Sequence, residues 1–347
     1  MNRKELSVMK NQTQNYCIYW EKTSAQSAKI LRVFSNLPVV RLPERLEGYP
    51  VTELGNYCFA PVCTIPENCF IFDTSHSENI TEICGNYLQS IELPESLARI
   101  GDYTFYNCRN LTSLTCSHRL QAIGSDAFMN CHNLHRIFLR CEPLEKSGLR
   151  RILAQISWDI EVFFEGNSGT KSSASSQNNA LPQDKASVFY PEYYEAYDEI
   201  APAHIFGRNI IGEGFRSRQC FQDGRMDFPQ YDKIFPKACV EESVQTLCRI
   251  AFDRLRYPYQ LSALCRQQYA DYLLVHGGIL CRQFIQDKNT QDLLFLVREE
   301  LLSLQAVMSA QTLAAQAGWS EGSAQLIRFC QSRQKSATCT AYTFDDF

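Results

Sequence analysis

Two hydrophobic periods divide the chain. Ile91 and Leu93 alternate with Ser90 and Glu92, and Ile137 and Leu139 alternate with Arg136 and Phe138. That is the two-residue period of a short strand with one face inward. From Phe235 onward the apolar positions follow helical spacing instead, with Val240, Val244, Leu247, Ala251 and Leu255 on one stripe and Pro258 closing the helix. The patterns predict an α+β chain with an N-terminal solenoid of short stacked strands, a strand-rich connector and a C-terminal all-helical domain of stacked helix pairs.

The strand part overlays itself at a step of 23 residues. The stretch Leu97–Leu111 is echoed by Leu120–Leu134, with Leu, Ile, Gly, Phe, Asn, Cys, Asn and Leu kept at eight of fifteen positions. A unit of this size cannot bury its apolar edge alone and stacks on its neighbours. Stepping by 23 from Leu42 meets Ile65, Leu88, Leu111 and Leu134, and further registers run through Ile91, Leu114 and Ile137, and through Leu93, Cys116 and Leu139. Between about 60 and 90 the unit is degraded: Ser77 stands where an apolar residue is expected, and Ile83–Leu88 suggests a local insertion.

Within one unit, Pro94 lacks an amide proton and stops the strand. Gly101 and Gly124 are expected to permit a backbone turn. Phe105 and Phe128 are expected to fill the interior, and Cys108 and Cys131 to act there as small buried hydrophobes. Stacking then places Ser90, Ser113 and Arg136 in an outward column beside Glu92, Thr115 and Phe138. Glu92, Thr115, Arg136 and an exposed Phe138 are the candidate partner-binding residues, set against the alternative of a merely solvated sheet.

Residues 36–140 resemble the BspA-type leucine-rich repeat family, whose units read roughly LP-x-x-(L/I)-x-x-IG-x-x-AF-x-x-C-x-x-L. The match is tightest over Leu93–Leu139, and an echo is seen at Val188–Tyr197. The resemblance implies a leucine-rich repeat solenoid that binds other proteins along an extended face.

Beyond the repeats, Arg150–Ile156 is apolar enough for a short helix and Ile160–Phe164 for a strand. The run Gly166–Asn179, rich in Ser, Gly and Asn, can bury nothing and is expected to be disordered. Tyr190, Tyr193, Tyr194 and Tyr197 are expected to pack on the last coil and close its end, with ligand stacking as the alternative.

The helical third overlays itself at 33 residues. Leu247, Leu280 and Leu313 align, as do Ala251, Phe284 and Ala317, Leu261, Leu294 and Ile327, and Leu264, Val297 and Cys330. Gly277-Gly278, Asn289-Thr290 and Gly318-Trp319-Ser320 mark the turns. Three stacked helix pairs resemble ankyrin-type repeats in period, although the T-P-L-H turn signature is absent; an irregular helical bundle is the alternative. The expected domains are 1–35 as a β cap, 36–165 as the solenoid, 166–186 as a disordered loop, 187–235 as an aromatic strand-rich connector, 236–335 as the helical-pair domain and 336–347 as a tail.

Composition narrows the function. A hydrophobic share of 45% suffices for ordinary cores, and a net charge of −4 gives no broad basic field for nucleic acid. No run approaches the roughly 18 apolar residues of a membrane span, and Met1–Gln12 has no apolar stretch of the signal-peptide kind. The 16 cysteines then suggest a reducing compartment, and the cytoplasm is the expected location. Cys131, His132 and His135 are only loosely spaced like metal ligands, and no metal or other cofactor is expected. No catalytic constellation is recognisable. The chain is expected to be a non-enzymatic interaction scaffold for a protein partner. Two alternatives stand beside it: a thiol-dependent enzyme or redox switch, in which Arg218 and Arg225 activate Cys220 with His204 as base, and a surface adhesin exported by an unrecognised route.

Overall fold

Strands form where the alternation predicts them. The computed structural model describes residues 14–75, 79–166, 185–200 and 205–340, the side chains of 198–200, 205, 206, 208 and 332–340 aside. Residues 1–13 of the expected cap, Ser77, residues 167–184 of the expected polar loop, His204 and the tail beyond Thr340 lie outside the described residues. The chain divides into two compact units, Met1–Ile234 and Phe235–Phe347.

The first unit starts with an antiparallel hairpin of β1 (Tyr16–Lys22) and β2 (Ala28–Ser35). The first coil follows with β3 (Val39–Arg41), β4 (Arg45–Leu46) and β5 (Tyr49–Leu54). The chain then leaves the stack: β6 (Phe70–Asp73) pairs with β1, and β7 (Thr81–Glu82) with β2, both antiparallel. It returns through a 3₁₀ turn at Gly85–Tyr87 into β8 (Ser90–Glu92) and β9 (Arg99–Ile100). Later coils add β10 (Ser113–Ser117) and β11 (Ala122–Ile123), then β12 (Arg136–Arg140), helix α1 (Leu149–Leu153) and β13 (Ile160–Phe164).

Two walls result. β3, β8, β10, β12 and β13 are parallel neighbours in one sheet, while β5, β9 and β11 are parallel in the other and β2 extends it. The 23-residue step is the register itself: Ser113 lies between Ser90 and Arg136, and Leu114 between Ile91 and Ile137. The step fails across the excursion. Leu42 follows the Val40↔Ile91 and Arg41↔Glu92 pairs and so falls level with Leu93, while Ile65 lies outside any strand. The degraded stretch is an excursion onto the N-terminal hairpin, and the first coil stacks directly on the coil of β8.

Side-chain ladders hold this stacking. Phe59, Phe105 and Phe128 are fully buried and stack with ring centroids 5.2 and 5.3 Å apart. The Cys108 thiol donates to the Phe59 carbonyl at 3.3 Å, and the Cys131 thiol to the Phe105 carbonyl at 3.0 Å. The Asn130 amide donates to Asn107 Oδ1 at 2.8 Å. The repeat glycines act differently from the expectation. Neither Gly101 nor Gly124 has a positive φ; a Cβ at 124 would lie 2.4 Å from the Asp102 nitrogen, so the residue is small because the next coil is close.

A buried arginine sits at each end of the stack. Arg32, with its side chain 1% exposed, donates to the carbonyls of Tyr57, Cys58 and Ala60 at 3.1, 3.0 and 2.7 Å and is held by Glu82 at 2.6 Å. The Tyr57 carbonyl also accepts from the Ala60 amide at 3.0 Å, while those of Cys58 and Ala60 have no preceding coil to bond them, and a buried carbonyl left unpaired is costly. At the other end β14 (Ala186–Tyr190) closes the strand wall antiparallel to β13. Beyond it come the hairpin β15 (Tyr194–Ile200) and β16 (Ile205–Ile211), helix α2 (Gly214–Ser217), the short pair β17 (Phe221–Gln222) and β18 (Arg225–Met226), and helix α3 (Phe228–Asp232). Buried Arg218 donates to the carbonyls of Pro191, Gly214 and Trp158 at 2.5, 2.9 and 2.7 Å. Tyr190 is buried against Tyr231, and Tyr193 lies under the Arg218 guanidinium. Tyr194 and Tyr197 depart from the expected end closure: they project from the hairpin, 58% and 61% exposed.

The second unit is helical: α4 (Phe235–Glu241), α5 (Val244–Arg256), α6 (Ala263–His276), α7 (Gly278–Gln286), α8 (Thr290–Arg298), α9 (Leu304–Gln316) and α10 (Ser320–Thr340). Helices α5, α7 and α9 pack in series, and α5–α6, α7–α8 and α9–α10 pack as hairpins. Ser243, Ser262, Asn289 and Ser303 cap α5, α6, α8 and α9 by accepting the amide three residues on. The first 33-residue step is structural, since Leu247 and Leu280, Cys248 and Cys281, and Ala251 and Phe284 are all buried. The second is not. Ala317 and Ile327 are exposed, and Val307, Ala310 and Ala314 bury instead; on the partner helices the match already fails at the first step, where Leu264 is 71% exposed and Val297 is buried. Helices α7 and α8 are only 9 residues each, which shortens that step. Val240, at 84%, and Val244 are also exposed, because the stripe begins only at Leu247.

Candidate protein-interaction face

The outer side of the strand wall is an ordered set of rows, because parallel strands carry equivalent residues side by side. One row runs Arg41, Glu92, Thr115, Phe138, Phe163, fixed by the pairs Arg41↔Glu92, Thr115↔Glu92, Thr115↔Phe138 and Phe138↔Phe163. At roughly 4.8 Å between strands it spans about 19 Å. The neighbouring row runs Val39, Ser90, Ser113, Arg136, Glu161.

All four candidate residues lie on this face, and the structure changes the part each plays. Phe138 is half-buried, not exposed, because it stacks on Phe163 with centroids 5.2 Å apart and planes 13° apart. Glu92 is tied to Arg41 at 3.4 Å and Arg140 at 3.2 Å, and Arg140 also pairs with Glu95 at 2.8 Å and donates to the Leu93 carbonyl. Arg136 is half-buried opposite Glu161, and Thr115 lies between Glu92 and Phe138. Ser90 and Ser113, expected to point outward into solvent, are buried, with their hydroxyls 2.7 Å apart.

Arg41, Arg140 and Phe163 belong to the face and were missed in the sequence. A signal existed for Phe163: aligning Val162 with Ile137 sets it beside Phe138. For Arg140 the alternation through Arg136 and Phe138 gives the face, but not the reach of its side chain across two strands to Glu92.

The other candidate chemistries separate in space. His132 packs edge-on against Trp158 at 5.0 Å, His135 Nδ1 lies 3.0 Å from the Asp159 carbonyl, and the Cys131 thiol is directed to the coil beneath. Among the described residues no group of His, Cys, Asp and Glu is arranged to hold a metal ion. Cys220 is buried, and burial, with Asp227 and Asp232 nearby, pushes its thiol pKa up to about 12. The Arg218 guanidinium expected to activate it is engaged with main-chain carbonyls instead. This environment opposes a thiolate.

Rows of equivalent side chains on a parallel wall, repeated coil by coil, define a leucine-rich repeat solenoid. Residues 74–148 match the family model of the BspA-type leucine-rich repeat region in six copies. Regions of this kind point to a protein-interaction or adhesion-type scaffold. Among solved structures, a leucine-rich repeat protein of T. pallidum is similar at 21% identity over 35% of this chain and 56% of that one, with a TM-score of 0.24. No curated protein matches the chain. Among the described residues, no helix is long and apolar enough to cross a membrane.

Proposed function

We propose that the protein is a non-enzymatic interaction scaffold whose strand wall recognises a protein partner, with Phe138, Phe163 and Arg136 as anchors. The observation that carries this reading is the row Arg41–Glu92–Thr115–Phe138–Phe163, in which a stacked aromatic pair stands beside a braced arginine–glutamate network. Aromatic and arginine side chains are enriched at the energetic centres of interfaces. Ion pairing and stacking fix the rotamers before a partner arrives, which lowers the entropy cost of binding. Glu92 and Thr115 shape the face, Glu92 by holding Arg140.

A reducing, cytoplasmic setting belongs to the same proposal. Its support is chemical: Cys108 and Cys131 act as thiol donors to buried carbonyls, a role that requires the S–H form. An exported adhesin would meet an oxidising environment.

The test is affinity capture from the native host followed by mass spectrometry, with wild type and a Phe138→Ala/Arg136→Ala variant as baits. The variant is expected to bind the captured partner more weakly by more than about 2 kcal/mol. Its melting temperature should stay within roughly 4 °C of wild type. Undiminished capture by the variant would move recognition off the strand wall.

A further inference from the structure

The turn edge of the solenoid carries a second surface, away from the strand wall. One position of the turn is occupied by Tyr57, Tyr103 and Asp126 in successive stacked coils, and all three are left-handed, with φ of 57°, 54° and 50°. Aspartate visits that region readily, whereas a bulky aromatic is a clear outlier there. The coil's main-chain bonds do not demand tyrosine: Tyr57 N donates to the Asp102 carbonyl and Tyr103 N to the Ser125 carbonyl, both at 3.0 Å, as any residue with an amide would. Nor does the core need it, since Phe59, Phe105 and Phe128 fill the interior.

The two rings instead lie at the surface, stacked at 5.1 Å and 11°, with Tyr57 40% exposed. Tyr106 meets Tyr103 edge-on at 6.1 Å, and Met129, its counterpart one coil on, is 46% exposed. Two carboxylates stand on the same edge. The Asp126 carboxylate lies near enough to the Tyr103 phenol to push its pKa up, and Asp102 Oδ1 accepts from the Ser125 amide at 2.8 Å, so both carboxylates stand beside the rings.

We propose that Tyr57, Tyr103, Tyr106 and Met129, flanked by Asp102 and Asp126, form a docking edge for a protein segment bearing arginine or lysine beside an aliphatic side chain. The aromatic and thioether groups take the aliphatic part by burial. The ring faces and the two carboxylates attract the cation, and this charge complementarity selects a basic segment over an acidic one. Such sparsely populated backbone conformations persist where the surrounding structure over-determines them, and here the ladder of inter-coil bonds does so. The edge is independent of the strand wall, so either surface can fail its test without the other.

The experiment measures fluorescence anisotropy of a labelled 12-residue Arg-Leu alternating peptide against the full chain, with a Glu-Leu peptide as control. The basic peptide is expected to bind at least tenfold more tightly than the acidic one. Tyr57→Asn/Tyr103→Asn should weaken it at least tenfold with the melting temperature retained, because asparagine accepts the left-handed backbone. Asp126→Asn keeps that backbone and removes one charge, and should weaken binding about threefold; Phe138→Ala should leave it unchanged. Equal binding of the two peptides, undiminished binding by the tyrosine variant, or no effect of Asp126→Asn would each overturn the proposal.

Discussion

The leucine-rich coils and the helix pairs are both repeats, but their units are joined by different forces. In the coils, contact between units is specific at the level of single atoms: main-chain registers, a phenylalanine stack, thiol-to-carbonyl bonds and glycines pressed on the neighbouring backbone. One residue inserted between the strand and the turn of a coil would put the ladders of that coil out of register with each other. In the helices, the cap hydrogen bonds close within each helix, and contact between units is mainly apolar packing, with the Arg256–Asp292 ion pair at 3.4 Å between the first pair and the second. Such packing tolerates a shift in step, and the spacing from α7 to α9 falls well short of that from α5 to α7. A repeat period is strict to the extent that polar or close main-chain contacts cross the unit boundary.

The largest expected effect tests the ladder side of this contrast. Phe105 is fully buried between Phe59 and Phe128, so Phe105→Ala opens a cavity in the middle of a stack that cannot close without moving both neighbours. A loss of about 4 kcal/mol is expected in urea unfolding of the full chain. A loss below about 1 kcal/mol would mean that the rings are not what holds the coils together.

The same distinction decides how much could be seen in advance. The pairing of Ser90, Ser113 and Arg136, the interior position of Phe105 and Phe128, and the strand at Ile160–Phe164 follow from alternation and a strict step. Of the candidate face, Glu92, Thr115, Arg136 and Phe138 were legible in the same way. Arg32 and Arg218 were not. Each looks like an ordinary polar position, and each is buried only because a distant segment folds over it: the β6–β7 excursion brings Glu82 to Arg32, and Trp158 and Pro191 come to Arg218. Ser113 was placed in the right column, but its burial depends on neighbouring side chains that periodicity does not reveal. In the helices, Leu264 shares a spacing with Val297 but not an environment, because spacing alone does not say which side of a helix is covered.

Two glycine substitutions sharpen the comparison at intermediate size. A Cβ at 124 would fall 2.4 Å from the Asp102 nitrogen and 2.4 Å from the Gly101 carbonyl carbon, so Gly124→Ala must push two coils apart. A cost of about 3 kcal/mol is expected. Gly318 ends α9 at a φ of +64° with no atom within 4 Å of its would-be Cβ, so Gly318→Ala meets only backbone strain, about 1 kcal/mol. Paired urea titrations measure both. Equal costs would show that the coil glycines serve conformation, not close stacking.

The smallest effect isolates what is local about a helix unit. Ser303 Oγ accepts from the Ala306 amide at 3.2 Å, and Leu304 directly after it is exposed, so Ser303→Ala removes one cap without opening the core. The expected cost is about 1 kcal/mol. Because no ladder carries the loss onward, it should appear as faster amide exchange in the first turn of α9, with the amides of β10 and β12 unchanged. Faster exchange spreading evenly through α5 and α7 as well would mean that the helix pairs are coupled as tightly as the coils. The looser step between them would then need an explanation other than tolerant apolar packing.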